Sequence, residues 1–215
     1  MGERIRTIEG NITAEIEVKR SKFIANLIYV KNVEEAENSL REYKKKYYDA
    51  RHNCYAYIIN GETIIKKASD DGEPSGTAGV PIINVLERKE LSNVIAIVTR
   101  YFGGILLGTG GLVRAYSTAV VNAIEKAKII DFVKGYEIEV NVNYQNLENF
   151  KYYCNINFFN IVDILYEENV KLIIEIPKAK IEQFENDCDD RNLNIISSKI
   201  LQEKNIREKN IREKN

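Results

Sequence analysis

An α+β protein of two domains is predicted, and three observations predict it. Eleven of the twelve glycines lie before Gly135 and none lies after it. The charge balance changes sign at the same place, from +3 over residues 1–134 to −4 over residues 135–215. The second segment has a β-α-β-β-α-β order of apolar periodicities, the pattern of the split βαβ, ferredoxin-like fold. The expected boundaries are 1–134 for the first domain, 135–202 for the second, and 203–215 for a polar tail.

In the first domain Ile12 to Val18 alternates, and Phe23 to Val30 is apolar and β-branched, so both read as strands. Asn32 is placed to cap a helix from Val33, with Glu34, Glu35 and Glu37 near its positive end and Lys44, Lys45 and Lys46 near its negative end. Cys54 to Ile59 and Thr63 to Ile65 flank Asn60-Gly61, a hairpin signal. Ile82 to Leu86 is expected in a short helix after Pro81. Val94 to Val98 is an unbroken apolar run and reads as a strand buried on both faces. From Leu112 to Lys128, Val113, Ala115, Tyr116, Ala119, Val120, Ala123, Ile124 and Ala127 form a helical stripe.

In the second domain strands are expected at 136–144, 161–166, 170–176 and 193–201, with helices at 147–154 and 181–188. The tail repeats Ile-Arg-Glu-Lys-Asn. A five-residue step does not keep Ile206 and Ile211 on one helical face, so a solvated, frayed appendix is predicted.

Composition bounds the function. With 44% hydrophobic and 29% charged residues the chain can bury a proper core. A net charge of −1 provides no global field for nucleic acid. No apolar stretch approaches the roughly 20 residues needed to span a bilayer, and the N-terminus lacks a signal-peptide core. A cytoplasmic protein without membrane contact is expected. Cys54, Cys154 and Cys188 are too far apart for metal-ligand or redox spacing, and His52 is the only histidine, so no metal and no cofactor are expected.

Two dense glycine runs carry the functional signal. The first is Asp70-Asp71-Gly72-Glu73-Pro74-Ser75-Gly76-Thr77-Ala78-Gly79. The second runs from Arg100-Tyr101-Phe102-Gly103-Gly104 through Gly108, Gly110 and Gly111 to Arg114, between a buried strand and a helix. Unpaired backbone N–H groups at a helix start suit an anion, and Arg100 and Arg114 are candidate bidentate partners, with hydroxyls from Thr109, Ser117 and Thr118. A phosphate site and a tight connection whose glycines only permit packing are both consistent with this run. It is neither nucleotide-binding glycine fingerprint. For Asp70, Asp71 and Glu73, Mg²⁺ ligation or acid–base work stands against a structural role, either local turn chemistry or pairing with Arg100 and Arg114, and the structural role is favoured. His52 is the one candidate proton shuttle, though a lone histidine is more often structural.

These same residues resemble the YigZ/IMPACT family of translation regulators. The resemblance runs over Ser21-Lys22-Phe23-Ile24-Ala25, residues 50–57, the whole acidic run 70–79, Arg100 to Gly104, and residues 107–116, including the motif positions Glu73, Thr77, Tyr101 and Tyr116. It implies a first domain with the α+β fold of elongation factor G domain IV and a small-subunit ribosomal protein. It implies a second domain like the ferredoxin-like domain V of that factor. Two functions follow as expectations: a module binding RNA or the ribosome, with a translation-associated protein as a further partner, or a Mg²⁺-dependent enzyme acting on a phosphorylated small molecule. A protein-interaction scaffold is the third. The first is preferred because no complete catalytic set is visible.

Overall fold

The computed structural model describes residues 4–189 and 193–208, and it divides into two compact units, residues 5–130 and residues 131–215 with 1–4. Both mix helices and strands, as expected of an α+β protein.

The first unit holds β1 (Arg4–Ile8), β2 (Ile12–Val18), β3 (Ser21–Tyr29), α1 (Val33–Lys46), β4 (His52–Asn60), β5 (Ile64–Ser69), α2 (Gly79–Arg88), β6 (Val94–Tyr101) and α3 (Thr109–Lys126). β1 was not foreseen; its Ile5 and Ile8 are buried, and Ser92 donates to the Arg6 carbonyl at 2.9 Å. The main sheet has the order β2-β3-β6-β4-β5, with every neighbour antiparallel. β5 and β6 both pair antiparallel with β4, so they run parallel to each other, and each leads into a helix.

The sheet is apolar on both faces because helices cover both. One face brings Phe23, Leu27, Val94 and Val98 against Ile82 and Leu86 of α2 and Leu112, Tyr116 and Val120 of α3. Ala56 and Ala96 lie opposite each other on this face, in the cluster that α2 and α3 cover, where small side chains let helices sit close. The other face packs Ile28, Tyr57, Ile59 and Ile95 against Ala36 and Leu40 of α1. Asn32 caps α1 by accepting from the Glu35 amide at 2.8 Å. The stripe predicted for α3 is off by one at its start, since Leu112 is buried and Val113 is 37% exposed.

The second unit holds β7 (Ile129–Val142), α4 (Leu147–Ile156), β8 (Asn160–Tyr166), β9 (Val170–Pro177), α5 (Ile181–Asp189) and β10 (Ile195–Arg207). β9 pairs with β7 and β8, and β10 pairs with β7, all antiparallel. This is the expected ferredoxin-like arrangement. Alternation along β9 buries Val170, Leu172, Ile174 and Ile176 with Phe150 of α4 and Phe184 of α5.

The polar tail requires correction. Glu203 to Arg207 continue β10 and pair with Tyr136 to Phe132 of β7. A strand repeats every two residues, so the mismatch with helical periodicity that made the tail look frayed is irrelevant here. Ile206 is 2% exposed and packs onto Gly135, where any Cβ would lie 2.5 Å from the Ile206 Cδ1 and 2.6 Å from the Ile176 carbonyl oxygen. The second copy of the repeat, with Ile211, lies outside the described residues. Ile206→Ala is therefore expected to lower the stability of this unit by about 2–5 kcal/mol, read as a shift of its chemical-denaturation midpoint; a shift below about 0.5 kcal/mol would count against this placement.

Candidate functional site

Both glycine runs lie at one end of the main sheet, because each follows one of the two parallel strands β5 and β6 into a helix on the same face. At that end Phe23, Arg100 and His52 stand in a row across β3, β6 and β4.

The acidic run is closed on itself. The Asp70 carboxylate accepts from the amides of Gly76, Ala78 and Gly79 at 2.8–2.9 Å, which fills the anion-binding end of α2 with the chain's own carboxylate. Partial burial opposes its ionisation, yet these three N–H groups together keep its pKa below the usual carboxylate value. Asp71 has φ +45°, accepts from the Asn53 amide at 2.7 Å and pairs with Lys44 of α1 at 2.6 Å. The His52 Nδ1 lies 2.9 Å from the Asp71 carbonyl oxygen; a carbonyl only accepts, so this nitrogen carries the proton. Thr77 is buried and its hydroxyl donates to the Pro74 carbonyl at 2.6 Å. Every sequence-predicted acid–base candidate here is tied to protein groups, which is the turn chemistry rather than an array of free ligands. Among the described residues no group of three or more His, Cys, Asp or Glu is arranged to hold a metal ion.

Glu73 reaches inward. It accepts from the Arg100 Nη1 at 2.7 Å and from the Tyr116 hydroxyl at 2.9 Å, with side chains only 3% (Glu73) and 8% (Arg100) exposed. The Arg100 guanidinium lies over the rings of Phe23 and Phe102, at 5.5 and 5.6 Å from their centroids. Tyr116 meets Phe23 edge-on at 5.2 Å, and the Cys54 thiol donates to the Asp70 carbonyl at 2.9 Å. Burial, helped by the nearby charges of Glu73, Asp71 and Asp70, pushes the Cys54 thiol up to about 12, so it is inert. The expectation that Arg100 faces an external phosphate is corrected: a guanidinium whose charge is matched by a buried carboxylate stays inside. Tyr101 is also engaged, donating to Asp49 at 2.8 Å.

The start of α3 is different. Its N-cap is Gly108 at φ +72°, with no capping side chain and no acid in the first turn. Gly108, Thr109 and Gly110 are exposed, and a Cβ at Gly104, Gly108 or Gly110 would meet nothing within 4 Å. The first N–H groups of a helix lack intrahelical partners, so those of Thr109, Gly110 and Gly111 remain available. Arg114 is exposed one turn on, and with Lys19, Leu107, Gly111 and Thr118 it lines a recess of about 190 Å³.

Two cations were missed from the sequence. Lys19 and Arg20, at φ +47° and +64°, form the two-residue turn between β2 and β3, a position usually given to Asn-Gly. Gly103 holds this turn: its amide donates to the Ser21 hydroxyl at 3.1 Å, and a Cβ there would fall 2.0 Å from the Arg20 carbonyl carbon. The only sequence signal was the short gap between the strand-like runs 12–18 and 23–30. Lys44, Lys66 and Lys67 add no free charge to it, being paired with Asp71, Glu87 and Glu37.

Residues 19–124 match the Impact N-terminal domain family, and residues 140–191 match a domain of unknown function, DUF1949. IMPACT family member YvyE of Bacillus subtilis (strain 168) is 37% identical over 170 residues, 79% of this chain and 78% of that protein. IMPACT family member YigZ of Escherichia coli (strain K12) is 33% identical over 175 residues, 80% of this chain and 86% of that protein. A crystal structure of a hypothetical protein, 30% identical, superposes with a TM-score of 0.61 and covers 94% of this chain and 98% of that one.

Glu73→Gln leaves the Arg100 charge buried without its counter-ion and is expected to cost about 3–5 kcal/mol in chemical denaturation; a loss under 1 kcal/mol would show that the pair does not organise this end of the sheet. Asp70 has a depressed folded pKa, so its contribution is full above the unfolded value near 3.9 and is lost as pH falls through the folded value. Asp70→Asn should accordingly narrow the stability difference between pH 7 and pH 3, measured by denaturant midpoints; an unchanged difference refutes the clamp.

Proposed function

The chain belongs to the IMPACT family, and from that premise we propose that it is a translation-associated protein that binds RNA, free or in the ribosome, through the β6–α3 end of its first unit. The observation that carries this reading is the contrast between two topologically equivalent helix starts. The positive end of α2 is filled by Asp70, whereas that of α3 is open and flanked by Arg114 and by the Lys19-Arg20 turn. Oriented amides plus unpaired cations are the chemistry of a phosphate contact. The net charge of −1 does not oppose it, because the field that matters is local and screened within about 8 Å at physiological salt. In the second unit Lys171 is paired with Glu139, and Lys204 with Glu137 and Glu175, so these cations are already matched; the binding is therefore assigned to the first unit.

Arg114→Ala is expected to weaken binding of a fluorescent single-stranded RNA and to reduce the log–log salt slope by about one phosphate contact. Thr109→Asp supplies to α3 what Asp70 supplies to α2. It is expected to stabilise the fold by roughly 0.3–1 kcal/mol while abolishing RNA binding. Binding that is indifferent to salt, or that survives Thr109→Asp, overturns the proposal.

A further inference from the structure

Phe102 is the one aromatic ring in the second glycine run that faces solvent substantially, being 52% exposed, and it is in contact with a buried cation. Over it, 5.6 Å from the ring centroid, lies the Arg100 guanidinium, which is itself 92% buried at the side chain, hydrogen-bonded to Glu73 and 5.5 Å from the centroid of the buried Phe23. Arg100 Nε has no acceptor, so beyond its bond to Glu73 the cation is held by ring faces. This contact favours one placement of the ring before any ligand arrives, which lowers the entropy cost of ordering it on binding. Gly103 and Gly104 follow directly, and Gly104 has open space where a side chain would stand.

Resting on the RNA reading above, we propose that Phe102 is a base-stacking platform and that the ligand is single-stranded RNA with an unpaired base beside the phosphate held at the start of α3. An exposed flat ring in the same loop as amides and cations matches the way single strands are bound, with bases on aromatic faces and the backbone on positive charge. A duplex cannot use such a ring, because its bases are stacked against one another inside the helix. The neighbouring Ile105 and Leu106, 41% and 83% exposed, add apolar surface but no face for a base. Arg100 acts here through Phe102 as a positioning residue, which gives the buried pair with Glu73 a functional as well as a structural consequence.

The chain contains no tryptophan, so Phe102→Trp installs a single fluorophore at the proposed platform. Titration of the full chain with a mixed-sequence single-stranded oligoribonucleotide of about ten nucleotides should quench that emission, and the same sequence as a duplex should not. In parallel, anisotropy with dye-labelled RNA should show Phe102→Ala weakened roughly 5- to 150-fold, one stacked base, and Phe102→Trp within about threefold of the unsubstituted protein. Thermal melting of each variant shows whether it is folded, and the quenching experiment stands on the tryptophan variant alone. If the unsubstituted protein binds RNA and Arg114→Ala weakens it, but Phe102→Ala does not, the platform is refuted and the phosphate site survives. Equal affinity for duplex and single strand, or unquenched tryptophan at saturation, also refutes it. No RNA binding by the unsubstituted protein refutes both.

Discussion

The buried ion pair between Glu73 and Arg100 is the constraint on which the rest of the first unit's working end depends. A carboxylate and a guanidinium removed from water are tolerable only when each matches the other and their remaining polar atoms find partners. Glu73 does this by taking hydrogen bonds from both Arg100 and Tyr116, which ties the acidic loop, strand β6 and helix α3 at one point. Glu73 therefore has to turn inward, and the preceding acids are left to close the loop: Asp70 onto the amides that open α2, Asp71 onto β4 and α1. The acidic run is a fastening, not a collection of free ligands.

That fastening separates two helix starts that the sheet topology makes equivalent. Parallel strands β5 and β6 each pass through a glycine-rich loop into a helix on the same face. At α2 the loop folds back with a carboxylate in its anion site; at α3 nothing folds back. The glycines of the second run divide along the same line. Gly103 lacks a side chain because the Arg20 carbonyl occupies that space, which is a packing requirement. Gly108 takes a left-handed conformation at the cap, and Gly104 and Gly110 face open space, which packing does not require. One motif thus contains both of the meanings its composition allowed.

Much of the fold was legible in the residues. Periodicity placed β2 and α3, and an unbroken apolar run placed β6, because their burial is one-sided or complete and such patterns report directly on the faces that neighbours cover. Asn32 was readable as a cap because capping is local. β1 escaped notice because five residues with two buried isoleucines carry too little pattern. The tail was misread because its strand character comes from pairing with β7, and a pairing partner seventy residues away leaves no local trace.

By itself the sequence determined the element order after β1, the two-part division and most of the residues from which a site would be made. Tertiary structure alone decided what those residues face. Arg100 and Arg114 are the same residue type at the two ends of one motif, and nothing local distinguishes an inward guanidinium from an outward one; Glu73, twenty-seven positions earlier, does. Lys19 and Arg20 join the site only because the turn they form is brought against Gly103. Side-chain periodicity is written by short-range geometry, whereas the placement of charge is settled by desolvation, and desolvation depends on which distant segments close over a group.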